Sequence, residues 1–445
     1  MDCEFTEGDR MTDTGNFYDI RDYGAQAGER CTEAIQAAFN DASLHKGTVL
    51  VPEGTYISGT LQAGEASLYL ARGAVLKASD RIDDYRDNGF VHNEMKRTLS
   101  FLYFMHAKGV RITGEGTIVL SGSAFYDFSH RTIPDSFPEL TPEQHSECTA
   151  RYTARPTQPM FFYQCSDVAI SGITILDAPC WTLSFNDCQD VRLRDLNIQA
   201  NPAVPNNDGM HFCGCRRVYI DGCSISTGDD CIAFSGITDW DIPCEDIFIS
   251  NCSLTSSSKA IVIGYMHSIV RNVLISNCVI KDSNRGLCIM ASPGTGLVEH
   301  VRAQNLIIDT RTHAGNWWGN GEPICIFALR HDNPSYLRPM PARNWDTAIR
   351  DVYISGVGCS AENVAAVIGD GQSVRDITLK DITYTRKPAR NVKLKGEGTV
   401  DTSPAEGHVS APNGVWLLIQ GAQNVTVENC TAYDEAGYLL PVCRR

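Results

Sequence analysis

Three aspartates stand in two short motifs near the middle of the 445-residue chain. Asp208 lies in NNDG, and Asp229 and Asp230 lie in TGDD, 21 and 22 residues further on. Neither motif contains a lysine or arginine to neutralise them. Carboxylates held close together on an apolar scaffold cannot all ionise easily, so one keeps a raised pKa and suits general acid catalysis. Glycoside hydrolysis needs such a set, with one protonated carboxyl and ionised carboxylates that face the anomeric carbon.

A repeat supplies the elements that must position these aspartates. Each unit has a polar pair, an alternating apolar run, a turn residue and a second short run. The first apolar residues of six successive units, 23, 27, 29, 26 and 28 residues apart, are Val168, Val191, Val218, Ile247, Val273 and Val301. Short strands at such a period predict a solenoid in which every coil pairs with the next.

Two ladders of similar residues support the solenoid. Cys223, Cys252 and Cys278 each stand five residues after a first apolar position, and a small thiol stacked in the core explains them without disulfides or metal. The position before this ladder carries Gly222, Asn251, Asn277 and Asn305, with Asn429 later. We expect these asparagines to hydrogen-bond from coil to coil. An amphipathic helix over 32–43 is expected to cap the open end of the core.

The repeat also relates the two aspartate motifs. Asp208 and Asp230 are one coil apart in sequence, and equivalent positions on adjacent coils lie about 4.8 Å apart. We therefore expect these two carboxylates to be stacked neighbours. Each motif taken singly is as typical of a turn, because Asp-Gly and Gly-Asp are ordinary turn chemistry. Their common register favours the catalytic interpretation.

The chain also resembles a known family. FYDIRDYGAQ, GTVLVPEGTYISGTL and LYLARGAVLKAS resemble the opening of pectin-degrading right-handed parallel β-helix proteins. NNDG and TGDDCIA resemble the signature motifs of glycoside hydrolase family 28, the polygalacturonases. The resemblance covers roughly 17–329 and implies an all-β, right-handed parallel β-helix. It also implies inverting hydrolysis of O-glycosidic bonds, with Asp229 as general acid and Asp208 and Asp230 activating water.

The resemblance is broken at four positions, two of which hold a substrate carboxylate in that family. Lys259 replaces the histidine of a Gly-His-Gly motif, and Cys288 and Met290 replace the Arg and Lys of Arg-Ile-Lys. The tyrosine expected near the end of the next strand is also missing, since PICIFAL ends in Leu329. Each lost charge-assisted hydrogen bond is worth about 1.5–3 kcal/mol, so we expect an oligo- or polysaccharide other than plain polygalacturonate.

Other residues near the motifs are candidates for holding a sugar. The loop RTHAGNWWGNGEPICIF offers tryptophans for stacking on a sugar ring, and packing of the loop onto the coil is the alternative. Several cations, His331 among them, could bind an acidic substituent, with surface solvation as the alternative. The predicted substrate-binding residues are Asn206, Lys259, Arg285, Trp317, Trp318, Glu322 and Arg330.

A zinc site is the alternative role for His211, Cys213 and Cys215, which alternate along one strand. No fourth ligand at metal-like spacing is evident, so neither a metal nor a cofactor is predicted. If Asp208 points outward, alternation places His211 on the inner face and Met210 and Phe212 on the cleft wall.

The charge and cysteine content of the chain limit its binding partners and its cellular compartment. The chain carries 53 acidic and 38 basic residues, a net charge of −15, which disfavours nucleic acid and anionic membranes as partners. Eighteen cysteines in this length indicate reduced thiols, and MDCEFTEGDR lacks the features of a signal peptide. We therefore predict a cytoplasmic protein, or a secreted or periplasmic one if a signal peptide has been removed.

We predict one β-helix domain over 1–445, with a loop insertion at about 121–159 and an irregular excursion at about 386–414. A lyase or epimerase on the same scaffold and a non-catalytic carbohydrate-binding solenoid are the alternatives to a hydrolase. The intact aspartates disfavour the binding protein, and the missing carboxylate-binding residues disfavour the lyase. The sugar, the linkage, endo or exo action and the oligomeric state stay open.

Overall fold

Parallel strands make up most of the regular structure. The computed structural model describes residues 16–92, 97–133, 139–236, 241–265, 267–292, 296–329, 347–390, 399–402 and 408–445. Strands of successive coils pair in register, so that Val168 lies beside Val191 and Val191 beside Val218. The repeat therefore forms the predicted right-handed parallel β-helix, the hand that parallel crossovers almost always take.

Two large sheets form the walls of the coil. The 22-stranded sheet contains Phe17–Asp19, Thr48–Val51, Gly54–Ser58, Ser67–Leu70, Ala74–Ala78, Arg111–Gly114, Thr117–Val119, Ser166–Ser171, Thr174–Leu176, Gln189–Arg194, Asn197–Gln199, Arg216–Asp221, Ser224–Thr227, Cys244–Ser250, Ser253–Ser256, Ile269–Ser276, Val279–Ser283, Leu297–Thr310, Ala348–Ala361, Val374–Arg386, Gln423–Glu428 and Thr431–Tyr433. The 12-stranded sheet, which we call the site sheet, contains Leu61–Gln62, Leu102–Met105, Met160–Tyr163, Leu183–Asn186, Met210–Cys213, Ile232–Ser235, Lys259–Ile263, Arg285–Met290, Glu322–Phe327, Ala365–Ile368, Leu417–Gln420 and Val442–Arg444.

The core is built from columns of like side chains. Five phenylalanines of the site sheet stack with ring centroids 4.5 to 5.0 Å apart, and they are Phe104, Phe162, Phe185, Phe212 and Phe234. On the opposite wall Cys223, Cys252 and Cys278 are buried and follow one another in register. The cysteine ladder predicted from the repeat is therefore confirmed.

The asparagine ladder has a conformational cause. Asn251, Asn277 and Asn305 have φ of 56°, 56° and 54°, in the left-handed region that asparagine and glycine tolerate best. The amide of Asn305 donates to Oδ1 of Asn277 at 2.7 Å, as predicted. Asn251 donates instead to Oδ1 of Asp221, because the preceding ladder position is a glycine.

The helix Thr32–Leu44 lies where the amphipathic pattern predicted it. It buries Ile35, Ala38, Phe39 and Ala42 in the core, and so covers the core at its N-terminal end. Among the described residues, the other helices are the six-residue Pro142–Glu147 and the 3-10 turns Ile20–Tyr23, Ile82–Asp84 and Gly122–Phe125. In the described part of the chain, no helix is long and apolar enough to cross a membrane.

Segments that interrupt the repeat form short antiparallel pairs. They are Arg86–Asp87 with Leu99–Ser100, Tyr126–Arg131 with Ala150–Tyr152, and Thr399–Asp401 with His408–Ser410. The second pair belongs to the insertion and the third, which we call the late hairpin, belongs to the excursion. Each contacts a loop that precedes a strand of the site sheet: Ala150 donates to the carbonyl of Ala203, and Gly319 donates to Oδ2 of Asp401.

Candidate active site

The three aspartates lie on turns that precede strands of the site sheet. Asp208 precedes Met210–Cys213, and Asp229 and Asp230 precede Ile232–Ser235 on the next coil. The strand register places Asp208 level with Asp230, so the predicted stacking of these two positions is found. All three side chains are nearly buried and line one cleft.

The cleft has a volume of about 320 Å³, near the lower end for small-molecule sites. Its lining combines carboxylates, two cations and several aromatic rings. The lining residues are Tyr152, Arg155, Trp181, Asn206, Asp208, His211, Asp229, Asp230, Ala233, Lys259, Val262, Tyr265 and Trp318.

The two asparagines of the NNDG motif form hydrogen bonds with the TGDD motif. Oδ1 of Asn207 accepts from the backbone N–H groups of Gly228 and Asp229, at 2.8 and 3.0 Å. The backbone N–H of Asn206 donates to Oδ2 of Asp229 at 3.2 Å, and that of Asp230 donates to Oδ1 at 3.1 Å. The orientation of the Asp229 carboxyl is thus fixed by backbone groups from both motifs.

Lys259 occupies the next coil, level with Asp230. Its Nζ lies 3.1 Å from Oδ1 of Asp230 and 5.6 Å from the ring centroid of Trp318. Burial would lower the pKa of Lys259, but attraction to Asp230 and Asp229 outweighs burial and raises it. The ammonium group therefore stays charged in the wall of the cleft.

Burial raises the pKa of Asp230 well above its usual range. Lys259 opposes this shift, whereas the neighbouring carboxylates of Asp229 and Asp208 increase it. The cluster therefore retains a proton at a pH where an exposed aspartate would be ionised. Burial therefore favours the protonated form of Asp230, whereas the resemblance implies that Asp229 delivers the proton to the substrate.

His211 lies in the cleft, and the expectation that it faces the core is wrong. Met210 and Phe212 point into the core instead. Alternation counted from Asp208 fails because Asp208 and Gly209 belong to a turn and the strand begins at Met210. The sequence signal that would have placed the histidine is the pair of large apolar residues flanking it. Phe212 is level with the core residues Phe185 and Phe234 on neighbouring coils, and Met210 is level with other apolar core residues.

The His211 ring is held on three sides. Its Nδ1 lies 2.7 Å from Oδ2 of Asp208 and its Nε2 lies 2.7 Å from Oγ of Ser235. Its ring stacks on that of Trp181 with centroids 3.8 Å apart. Burial lowers the pKa of His211 to about 3, so the ring is neutral. Nδ1–H then donates to Asp208, and Nε2 accepts from Ser235.

Replacing His211 by Phe is expected to keep the stack on Trp181 but to remove the donor to Asp208. Hydrogen bonds to charged groups are worth about 1.5–3 kcal/mol, so kcat should fall roughly 10- to 100-fold. Steady-state kinetics of His211→Phe and the matched His211→Gln, which retains an N–H donor, test this. Equal losses in the two variants would show that the N–H group does not support Asp208.

Arg285 and Glu322 differ from their predicted role in substrate binding. Both side chains are fully buried, and they form an ion pair at 3.3 Å. Arg285 also donates to the carbonyl of Asp401, while Glu322 accepts from the backbone N–H groups of Asn320 and Asp401 at 2.7 and 2.8 Å. The pair therefore joins the coil to the late hairpin and to the loop that carries Trp317 and Trp318, which we call the tryptophan loop. Both residues lie beneath the surface that a substrate could reach.

The two tryptophans have different positions. Trp317 is 3% exposed, and its Nε1–H donates to the carbonyl of Glu147 at 2.8 Å, so it packs the loop against helix Pro142–Glu147. Trp318 lines the cleft. Asn206 and Lys259, which were predicted to bind substrate, also line the cleft, while Arg330 and His331 lie outside the described residues.

The outer face of the site sheet is covered on both sides of the aspartates. Towards the C-terminus Cys288 and Met290 are fully buried, together with Val400 of the late hairpin. Towards the N-terminus Phe90 packs on Phe161 and Cys213 in a second apolar cluster. The cleft is therefore a short pocket between two covered stretches of sheet.

The prediction from sequence missed several cleft residues. Trp181 lies one coil before Asp208, so extending the register by one coil would have found it. Tyr152 and Arg155 come from the insertion, where no repeat exists to assign a position. Across the described residues, no group of three His, Cys, Asp or Glu side chains could hold a metal ion.

Residues 73–314 match the sequence profile of Glycosyl hydrolases family 28. The chain belongs to this family. It is therefore a glycosidase acting on O-glycosyl bonds of a carbohydrate, and the lyase, epimerase and non-catalytic alternatives are not favoured.

Relatives of this family 28 chain include a polygalacturonase of Persea americana. The two are 26% identical over 401 residues, which cover 86% of this chain and 75% of that protein. The family 28 exopolygalacturonase of Yersinia enterocolitica has a similar fold, with a TM-score of 0.67 at 17% identity over 97% of this chain and 78% of the other. The exopolygalacturonase of Thermotoga maritima gives a TM-score of 0.60 at 18% identity, covering 97% and 92%.

Proposed function

We propose that this family 28 chain removes short units from the end of an oligosaccharide by inverting hydrolysis. The observation that carries the proposal is the convergence of Asp208, Asp229 and Asp230 on a pocket covered at both ends. Inverting glycosidases need one carboxylic acid for the leaving oxygen and a carboxylate on the opposite side for water.

In the proposed reaction, Asp229 gives its proton to the glycosidic oxygen as the bond from that oxygen to the anomeric carbon breaks. A water molecule between Asp208 and Asp230 attacks the anomeric carbon from the opposite face and loses its proton to one of these carboxylates. The leaving sugar departs as an alcohol, and the new hydroxyl has the inverted configuration. The protonated base then releases its proton to solvent, and the carboxylate of Asp229 regains one, so that the enzyme returns to its starting state.

Lys259 supports this division of roles. Its Nζ lies 3.1 Å from Asp230, and an adjacent cation favours the ionised form of a carboxyl. We propose that the bound substrate, with its leaving oxygen against Asp229, draws the retained proton to that residue. Lys259 then holds Asp230 ionised as the base, and so replaces the positive charge that the family histidine would supply.

The covered ends of the pocket support exo action. An endo-acting enzyme must accommodate sugar units on both sides of the cleaved bond over many coils. Here Met290 and Phe161 are fully buried under neighbouring segments, one on each side of the aspartates. The structural neighbours from Yersinia enterocolitica and Thermotoga maritima, both titled exopolygalacturonases, agree with this mode.

Exo action predicts one short product from the beginning of the reaction. We expect mass spectrometry of a digested end-labelled oligosaccharide series to show stepwise shortening from one end. Oligomers should be cleaved faster than the polymer, because the pocket admits a chain end and few further units. An early ladder of intermediate lengths would contradict the proposal.

The proposed substrate is not plain polygalacturonate held in the family manner. Cys288 and Met290, which stand at the positions of the carboxylate-binding Arg and Lys, are fully buried and uncharged, so they offer no cation to a substrate carboxylate. We also propose a cytoplasmic location, which suits short imported oligosaccharides. The 17 cysteines among the described residues are all free thiols, which supports a reducing compartment.

A further inference from the structure

Arg155 is a cation in the cleft that the reaction described above does not use. It lies in the insertion, is only 5% exposed and lines the pocket beside Asn206. Its Nη1 donates to the carbonyl oxygens of Pro179 and Pro205 and to the hydroxyl of Tyr126. Its Nη2 donates to Oδ1 of Asn206 at 2.8 Å. These acceptors are all uncharged, so they position the guanidinium without neutralising it.

No ion pair within the described part of the chain includes Arg155, whereas Lys259, the other cation of the cleft, is paired with Asp230. An arginine is charged at any physiological pH, and a buried charge without a counter-charge is costly. A fold that holds such a charge beside its active carboxylates gains most when an anion binds there.

The geometry leaves part of the guanidinium available. The ring centroid of Tyr152 lies 4.2 Å from Cζ of Arg155, which fixes the plane of the group through a cation–π contact. The Nε–H group has no acceptor among the described residues. A planar guanidinium held in this way suits bidentate binding of a carboxylate. Through Asn206 it is also linked to Asp229, so a bound anion would lie near the proposed acid.

We propose that Arg155 is a specificity-determining residue that binds the carboxylate of a uronic acid unit in the pocket. The inference rests on the proposed glycosidase function. The cation for an acidic sugar thus comes from the insertion rather than from the strand positions occupied by Cys288 and Met290.

The first test compares 4-nitrophenyl α-galactopyranosiduronic acid with the neutral 4-nitrophenyl α-galactopyranoside and its 6-sulfate. We expect the uronic acid to have the highest kcat/KM in the unmodified enzyme. Arg155→Gln should lower that value about 10- to 100-fold and change the value for the neutral glycoside less than threefold. Arg155→Lys should recover part of the loss. Arg72→Gln, which removes an exposed arginine that does not line the pocket, is the matched control.

Equal losses on the acidic and neutral glycosides, or no loss, would overturn the proposal, and a preference for the sulfate would overturn the assignment to a carboxylate. A binding measurement separates this inference from the reaction. Calorimetry with Asp229→Asn should show tighter binding of galacturonate than of galactose, and this preference should vanish when Arg155→Gln is added. Absence of the preference in Asp229→Asn would reject the role of Arg155 whether or not its variants fold. Preference without turnover in the unmodified enzyme would instead reject the proposed hydrolysis.

Discussion

Replacing Asp229 by Asn is expected to lower kcat on an oligosaccharide substrate by about 10²- to 10⁴-fold, the contribution typical of general acid catalysis. The fold should be unchanged, because an asparagine Oδ1 can still accept from the backbone N–H of Asn206 or Asp230. Initial rates of product formation measure the loss, and thermal unfolding followed by circular dichroism checks the fold.

Leaving-group dependence distinguishes the acid from the other carboxylates. A dinitrophenyl glycoside needs no proton on its leaving group, so Asp229→Asn should slow its hydrolysis far less. Asp208→Asn and Asp230→Asn should slow both types of substrate, because they impair the activation of water. The reverse pattern for Asp229 and Asp230 would show that the carboxyl with the raised pKa in the free cleft is itself the acid.

Stereochemistry and pH give independent checks of the same assignment. Proton NMR of fresh product should show the inverted anomer, as expected when water fits between carboxylates about 6.5–9.5 Å apart. The value of kcat/KM should fall as pH rises through the raised pKa of Asp230, because the free enzyme then loses the retained proton. Retention of configuration would require a different role for the three aspartates.

Replacing Arg285 by Ala is expected to cost about 3–5 kcal/mol in the free energy of unfolding, because it leaves Glu322 as an unpaired charge in the interior. The tryptophan loop and the late hairpin should loosen as well, since the same pair holds Asn320 and Asp401. Urea denaturation measures the stability of the variant.

A matched double variant distinguishes the stability lost through the unpaired charge from the stability lost through missing side-chain packing. Arg285→Met with Glu322→Gln replaces both charges, keeps side-chain volume and retains one acceptor for the backbone donors. We expect this variant to be more stable than Arg285→Ala, because the unpaired charge is gone. A loss below about 1 kcal/mol in Arg285→Ala would mean that water reaches Glu322 or that the pair adds little.

The period of the sequence explains why the coil could be predicted and the pocket walls could not. One coil per repeat sets the neighbours of Cys252 and brings Asp208 level with Asp230. Arg155 lies in an insertion without a period, so nothing in its sequence relates it to the aspartates. Arg285 was expected to bind an acidic substituent and Glu322 to belong to a sugar-binding loop, but both are fully buried. The spacing of the repeat does not reveal that they pair with each other in the interior.

The polar pair at the start of each repeat unit was visible in the sequence, but its cause was not. The second residue of each polar pair has a left-handed backbone, with φ of 57°, 54°, 59° and 58° at Asp190, Arg217, Asp246 and Asn272. Asp and Asn are enriched in this conformation, which explains their recurrence at that position. These residues set a local irregularity of the strand and have no part in the chemistry, which explains why polar pairs recur far from the cleft.

Because the outer face of the site sheet is covered by segments outside the repeat, evolution or engineering could alter the number of sugar units that fit without altering the catalytic reaction. The carboxylates belong to the repeating coils, whereas the pocket walls come from the insertion and the late hairpin, which lie outside the repeat. Exchanging either wall segment would change how many sugar units fit without moving the aspartates. A chimera carrying a shorter hairpin should therefore release longer products while keeping the same stereochemical outcome, so new product ranges need no change in the catalytic residues.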